Sequence, residues 1–490
     1  MEKTYPFNLI TEYVIQGYGI TDQTPYEIEE IDARKLLTPW RIDLMAKWIY
    51  IDAKVNGWNL SYATELYKRH LDSFSNGTFC EPGNVEKTSF AQYIQVFDEL
   101  IREFQHSGFD EKKSLLPVGE SNVLLDGAHR CACAAYFNQK VKIIRFKNIR
   151  QNFGCDFFEQ RFLERKYLDR MALEYCRHNE KLFMACIWPA AKGKGLRDKA
   201  QEIIAGEGRI VYQREVRLNY RGLKSFITQI YSHQSWVGSF RDRYAGAEVK
   251  SRACYRRNGK VRMILFQCSD LETVVKMKEE IRSIFHIENH SVHISDNAEE
   301  TRAMAELLLN PSSVFHMKYG KPERLEKINQ SIENWKSFLK QVDGRNSFDY
   351  LADWRRGMAV FGIRDCYGLG GSSIGNMPPL LEKNWTEEEM TENSLNEILQ
   401  DTSRYFQYQG IKFEMMKKGP IINIRHFQLY LLWIADHVKI YMAQHLKNEL
   451  LKRMQKLAER KRKFKSHVYC FIRNILKKLG LYERLRDKLY

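Results

Sequence analysis

The stretch SLLPVGESNVLLDGAHRCACAAYFNQKVKIIRF, residues 114–146, carries the densest structural signal in the chain. NVLLDG reads as a strand ending in a turn, and HRCACAAYF is apolar at helical spacing. Gly127 and Ala128 therefore sit where a strand gives way to a helix N-terminus, and VKIIRF reads as the next strand. A helix start presents unpaired backbone N–H groups and the positive end of the helix dipole, which together favour an anion. His129 and Arg130 add side-chain donors at that point, and an arginine fork suits a phosphate.

Working outward, the first section runs over residues 1–150, with helices expected over Arg41–Val55 and Ala91–His106. In RIDLMAKW, Asp43 and Lys47 are four apart and share a helix face. With Arg41 they are candidates to bring a second cation and an acid–base group to a phosphate held at the turn. Glu81, in the loop CEPGN, is a further candidate base, because Pro82 and Gly83 keep it outside a regular element. The expected catalytic groups are thus Asp43, Glu81 and Lys47, and no metal-ligand set is expected.

The turn Asp126-Gly127-Ala128-His129-Arg130, in its strand–turn–helix setting, resembles the ParB/sulfiredoxin-like superfamily, whose members include partition proteins, sulfiredoxins and free-serine kinases. The resemblance covers residues 110–146 well and the preceding hundred or so only loosely. It implies an N-terminal ParB-like α+β domain that holds a nucleoside di- or triphosphate, ATP or ADP with or without magnesium. The implied binding residues are Asp126, Gly127, Ala128, His129, Arg130 and Arg41. Two departures narrow the activity. Sulfiredoxin chemistry needs a cysteine where this chain has Ala128, which argues against sulfinic acid reduction. No DNA-reading helix-turn-helix follows the motif as it does in partition proteins, which argues against chromosome partitioning.

Beyond residue 150 the pattern changes. Residues 151–180 read as a helical connector, and from Lys181 strands alternate with helices: LFMACIWP, LRDKAQEIIA, RIVYQREVRL, GLKSFITQIYS, VRMILFQCS, LETVVKMKEEIRSIF, HSVHIS and AEETRAMAELLL. That alternation predicts a layered α/β domain over 181–321. Residues 322–446 read as mainly helical, with short strands at Met358–Ile363 and Tyr405–Glu414. Phe427–Leu446 reads as a buried helix, since Asp436, His437 and Lys439 argue against a membrane span. The fold class expected is a multidomain α/β protein ending in a basic tail over 447–490.

Charge is distributed unevenly. The 490 residues carry a formal net charge of +16, and Leu450–Tyr490 holds 14 Lys/Arg against Glu459, Glu483 and Asp487, or +11. Only +5 is left for everything before it, so the body is not a uniformly basic nucleic-acid binder. Within the tail Val468, Phe471, Ile472, Ile475, Leu476 and Leu479 recur at three- and four-residue steps, with Arg473, Lys477 and Lys478 outside that stripe. A basic amphipathic helix of this kind suits an anionic membrane surface better than a partner helix or a nucleic-acid arm. With no signal peptide evident and ten scattered cysteines, the expected location is cytoplasmic, peripheral at the inner face of the membrane.

Weaker signals lie elsewhere. Pro189–Gly195 (PAAKGKG) falls between a strand and a helix but lacks the Gly-Lys-Ser/Thr ending of a phosphate loop. His290 and His293 fall on opposite strand faces, which disfavours a metal pair, and His293 with Asp296 is a candidate catalytic pair. Gly368-Leu369-Gly370-Gly371-Ser372-Ser373, together with FQYQGIKF, resembles nucleotidyltransferase-fold proteins of bacterial surface-polysaccharide clusters. Where those carry a Gly-Ser and paired acids, this chain has Trp354-Arg355 and Gly368-Leu369-Gly370, so the resemblance implies a non-catalytic copy. Taken together, these readings favour a nucleotide-dependent phosphotransferase acting on a sugar or small hydroxyl acceptor in surface-polysaccharide assembly. The rivals are a nucleotide-responsive adaptor without catalysis and a ParB-like nucleic-acid binder.

Overall fold

The computed structural model describes residues 5–79, 88–320, 350–352, 400–403, 405–416, 431–434 and 438–440, with 456, 459, 460, 464, 468, 471, 474 and 475 of the tail. The fold is mixed α/β and divides into two compact units, Met1–Arg324 with Glu382–Lys412, and Leu325–Leu381 with Phe413–Tyr490.

The first unit opens with helix α1 (Glu12–Gly17), strand β1 (Glu27–Asp32) and helices α2 (Asp43–Val55), α3 (Ser61–Phe74) and α4 (Phe90–His106). Then come β2 (Leu116–Val118), α5 (Ala128–Tyr136) and β3 (Lys140–Arg145). β3 is central in a three-stranded sheet, antiparallel to β1 and parallel to β2. Its alternation sends Val141 and Ile143 towards the core formed with α2 and α5, and Ile144 towards Phe7, Ile10 and Val14 on the other face. One element differs from the sequence expectation. NVLLDG is not a regular strand: Glu120–Asn122 form a 3-10 turn with Ser121 and Asn122 at positive φ, and only Leu124 bridges back, to Val118. The strand sits before that turn, at Leu116–Val118, while α5 starts at Ala128 as its pattern indicates.

Helices α6 (Cys155–Gln160) and α7 (Arg165–Arg177) follow, and then β4 (Leu182–Ile187), α8 (Leu196–Glu207), β5 (Arg209–Val216), α9 (Tyr220–Ile230), α10 (Ala245–Cys254), β6 (Val261–Gln267), α11 (Leu271–Phe285), β7 (Val292–Ile294), α12 (Ala298–Leu308) and α13 (Pro311–Tyr319). The four strands lie in the order β5-β6-β4-β7, each pair antiparallel. Each single-helix crossover therefore skips one strand, the split βαβ arrangement, and strands alternating with helices give an antiparallel sheet. β4 is buried along its whole length because both faces are covered. Phe183, Ala185 and Ile187 face the core with α8 and α11, whereas Leu182, Met184 and Cys186 join the core that continues into the N-terminal sheet region.

The first unit also takes in residues that the sequence pattern assigns to the following section. Arg170 donates to the Gln400 carbonyl at 2.6 Å, and strand β8 (Tyr405–Tyr408) packs on α13. Tyr405, fully buried, donates its hydroxyl to Glu306 at 2.6 Å, and Arg177 holds the other Glu306 oxygen at 3.0 Å.

In the second unit Leu431–Ile434 pairs antiparallel with Phe413–Met416 and with Val438–Ile440, which runs parallel to Tyr350–Ala352. The strand expected over Tyr405–Glu414 is present as two, Tyr405–Tyr408 and Ile411–Met416, whereas residues 350–352, 431–434 and 438–440 form strands where the sequence reading expects mainly helix. The apolar run Phe427–Leu446 is the clearest case: a short apolar run suits a buried strand as well as a buried helix, and the polar Ala435–His437 step lies between two strands. The segments Met358–Ile363 and Gly368–Ser373 lie outside the described residues. Among the described residues no helix is long and apolar enough to cross a membrane.

The buried Tyr405 hydroxyl gives a test of the packing around Glu306. Tyr405→Phe removes a hydrogen bond to a charged, buried acceptor, so stability should fall by about 1.5–3 kcal/mol. Urea unfolding monitored by circular dichroism should show the transition at lower urea, and an unchanged midpoint would show that Glu306 does not depend on this bond.

Candidate functional site

The turn that starts α5 is fixed by its glycine. Gly127 lies in the left-handed region at φ 79°, and a Cβ there would stand 2.6 Å from Leu116 Cδ2 and 2.8 Å from Arg130 Nη2. No side chain caps the helix start, and the first amides of a helix have no acceptor within it. Thr11 donates to Asp126 Oδ2 at 3.0 Å, and Arg130 Nη2 lies 4.0 Å from the same oxygen.

Beneath the turn lies a buried ion triad built by the start of α2. Asp43 is the first residue of that helix, where the dipole favours a carboxylate, and Lys47 is one turn on. Arg41 donates to both Asp43 oxygens at 2.8 and 2.9 Å, Lys47 donates to Oδ2 at 2.8 Å, and Arg41 Nη1 reaches the Leu124 carbonyl at 2.6 Å. That last bond ties the triad to the chain segment entering the Asp126 turn. All three side chains are buried, with Asp43 at 0% exposure and Arg41 and Lys47 at 3%.

Lys47 also meets His70 of α3, with Nζ 3.1 Å from Nε2. An ammonium can only donate, so Nε2 accepts and the His70 proton sits on Nδ1. Burial first, and then the Lys47 charge, push the His70 ring well below its ordinary value and keep it neutral. Burial alone would raise the Asp43 carboxyl, but the Arg41 and Lys47 charges and their hydrogen bonds hold it far below the ordinary carboxylate range. A carboxylate so stabilised, with both oxygens occupied, is a poor proton acceptor. Asp43 therefore positions Arg41 and Lys47, and the base role that the sequence reading gives it does not suit its surroundings.

These residues meet in one cavity of about 380 Å³. Arg41, Asp43, Lys47 and Asp126–Arg130 all line it, and its other walls are apolar and aromatic, with Phe74, Phe79, Tyr93, Val96, Leu100 and Phe153. The His129 ring meets buried core aromatics of α3 and α4: its Nε2 lies 2.7 Å from the Tyr67 hydroxyl and its ring meets Phe97 edge-on. Among the described lining residues three cations, Arg41, Lys47 and Arg130, meet two carboxylates, Asp43 and Asp126. Glu81 lies outside the described residues.

Sequence reasoning did not single out His70, Thr11 or Tyr67. Their signal was weak: His70 sits on the buried stripe Ala63, Leu66, Tyr67, His70, Leu71, where a histidine reads as ordinary core.

The other expected features resolve differently. His293 pairs with Glu300 at 2.9 Å, not with Asp296, which is bound by Lys278 at 2.8 Å. Burial pushes the His293 ring below its ordinary value, and Glu300 caps the turn that starts α12, so the pair is structural. His290 faces Cys254 and not His293. The segment Pro189–Gly195 does lie between β4 and α8, with Gly193 and Gly195 at positive φ. Among the described residues no group of three or more His, Cys, Asp or Glu could hold a metal ion, and the described cysteines are buried free thiols. Burial pushes Cys131, the cysteine nearest the turn, up to about 12, which leaves it a poor nucleophile.

Removing the central carboxylate tests the triad. Asp43→Asn leaves Arg41 and Lys47 buried without their counter-charge and should cost about 3–5 kcal/mol at neutral pH. The Asp43 carboxyl is depressed on folding, so its contribution is complete above the unfolded value of about 3.9 and is lost as pH falls from there. The variant should lack that acid-side slope while keeping the loss below about pH 6.5 that protonation of the buried His70 imposes. Chemical denaturation at a series of pH values measures both, and parallel profiles for the two proteins would remove Asp43 from its central place. The chain matches no family model, no curated protein and no solved structure.

Proposed function

We propose that the cavity between α2, α3, α4 and the start of α5 binds a nucleoside phosphate and supports transfer of a phosphoryl group to a hydroxyl acceptor. The observation that carries the reading is the convergence of Arg41, Lys47 and Arg130 with the Asp126 turn on one partly aromatic cavity. Cations held in fixed positions around one cavity attract an anion, and the phosphates of a nucleotide supply one. The helix start at Ala128 adds oriented N–H groups, and the resemblance of the Asp126–Arg130 turn to nucleotide-binding ParB-like turns points the same way. A volume of about 380 Å³ is of small-molecule size, and the wall of Phe79, Tyr93 and Val96 suits a flat base or a sugar face.

In this reading Arg130 and Arg41 hold the phosphates, Lys47 offsets charge on the transferred group, and Asp43 with His70 fixes Lys47 in place. Such transfer needs mainly positioning and charge stabilisation, which fixed cations supply. With Asp43 committed, the proton of the acceptor hydroxyl falls to Asp126, a cavity-lining carboxylate about a quarter exposed, or to Glu81. Asp126 is also the residue that would meet a magnesium ion carried in on the phosphates, since such ions are held by one or two carboxylates and the substrate itself.

Arg130→Ala should weaken binding of ATP or ADP by about 10- to 150-fold, the equivalent of roughly 1.5–3 kcal/mol for a charge-assisted contact, while leaving the fold intact. Titration calorimetry on wild type and variant measures this, and equal affinities would defeat the assignment. Nucleotide turnover in the presence of sugars and small alcohols decides between transfer and a binding-only adaptor.

A further inference from the structure

The described residues of the C-terminal tail are helical, and Phe464, Val468, Phe471 and Ile475 are all solvent-exposed, Phe464 at 70% and Phe471 at 66%. Their steps of four, three and four place them within an arc of about 60° on one helix face. Arg460 and Lys456, one and two turns before Phe464, are exposed as well. A narrow exposed apolar stripe, in a segment Leu450–Tyr490 that carries 14 basic residues against three acidic ones, has a specific physical complement. Water penalises the two phenylalanine faces, and an acidic surface alone would leave them exposed. An anionic bilayer satisfies both features, since headgroups attract the basic side chains while the acyl boundary takes the rings.

We propose that this helix lies in the plane of an anionic lipid surface, inserting Phe464, Val468, Phe471 and Ile475 and holding the chain there by its basic residues. Two other occupants predict different behaviour. A nucleic-acid strand would use the charge and ignore the stripe, and its affinity would collapse with salt because counterion release dominates it. A second copy of the helix would bury the stripe in a seam but would bring two strongly positive tails together, which repel.

The test is co-sedimentation of the full chain with vesicles of phosphatidylcholine, alone or mixed with phosphatidylserine, at low and physiological salt. The comparison is Phe464→Ser with Phe471→Ser, which keeps every charge and alters only exposed side chains. The full chain should partition onto the mixed vesicles at least about tenfold better than onto the neutral ones, with salt reducing the binding without abolishing it. The double variant should lose about tenfold or more of that binding while its circular dichroism stays the same. Equal binding to neutral and mixed vesicles, or an unaffected double variant, overturns the proposal. So does failure to bind either vesicle, whether the full chain is then found to bind oligonucleotides or to self-associate through the stripe.

Discussion

One buried carboxylate organises the N-terminal part of the first unit. Asp43 joins Arg41 and Lys47, and through Arg41 it is coupled to the Leu124 carbonyl, hence to the turn that begins α5. The first turn of α2, the segment before Asp126 and, through His70, the third helix are all fixed to the same few atoms. Neutralising any one of the charges would leave the others stranded away from water, so the interaction is expensive to disturb even where its net worth is small. The cavity above it inherits a rigid, positively charged floor.

How that floor was legible in the sequence depends on distance along the chain. The Gly127 turn and the start of α5 follow from local rules, because a glycine before an apolar helical repeat needs no knowledge of the rest of the fold. The pairing of Asp43 with Lys47 also follows from helical spacing. That Arg41 would close the triad and reach 83 residues onward to Leu124 is a tertiary fact, with no periodic signature. The strand expected over NVLLDG failed for a related reason: Val123–Leu125 are buried, but the 3-10 turn just before them leaves only an isolated bridge from Leu124 to Val118, so burial rather than pairing set the pattern.

In the central part of the chain the sequence disclosed element type better than partnership. Nearly every strand and helix from Leu182 to Leu308 lies where alternation places it, with α10 as the helix that no pattern marked. Which strands neighbour one another, and that all pairs are antiparallel, depends on crossovers skipping a strand, and periodicity is silent on that. The Phe427–Leu446 run shows the converse limit, since its apolar character alone could not separate a buried helix from the strands it forms. His293 illustrates the same point at a side chain: Asp296 is nearer in sequence, but the turn into α12 brings Glu300 to the ring.

The chemistry that follows from the triad is anion recognition with charge doing most of the selecting. An aromatic wall alone would favour a nucleoside, whereas the cations at the floor favour its phosphates. Titration calorimetry of the intact protein with ATP, adenosine and inorganic tripolyphosphate separates these contributions most directly. ATP should bind, tripolyphosphate should bind more weakly for want of the wall, and adenosine should bind about a hundredfold or more below ATP, as loss of two charge-assisted contacts would require. Adenosine binding as tightly as ATP, or no binding by any phosphate, would contradict this chemistry.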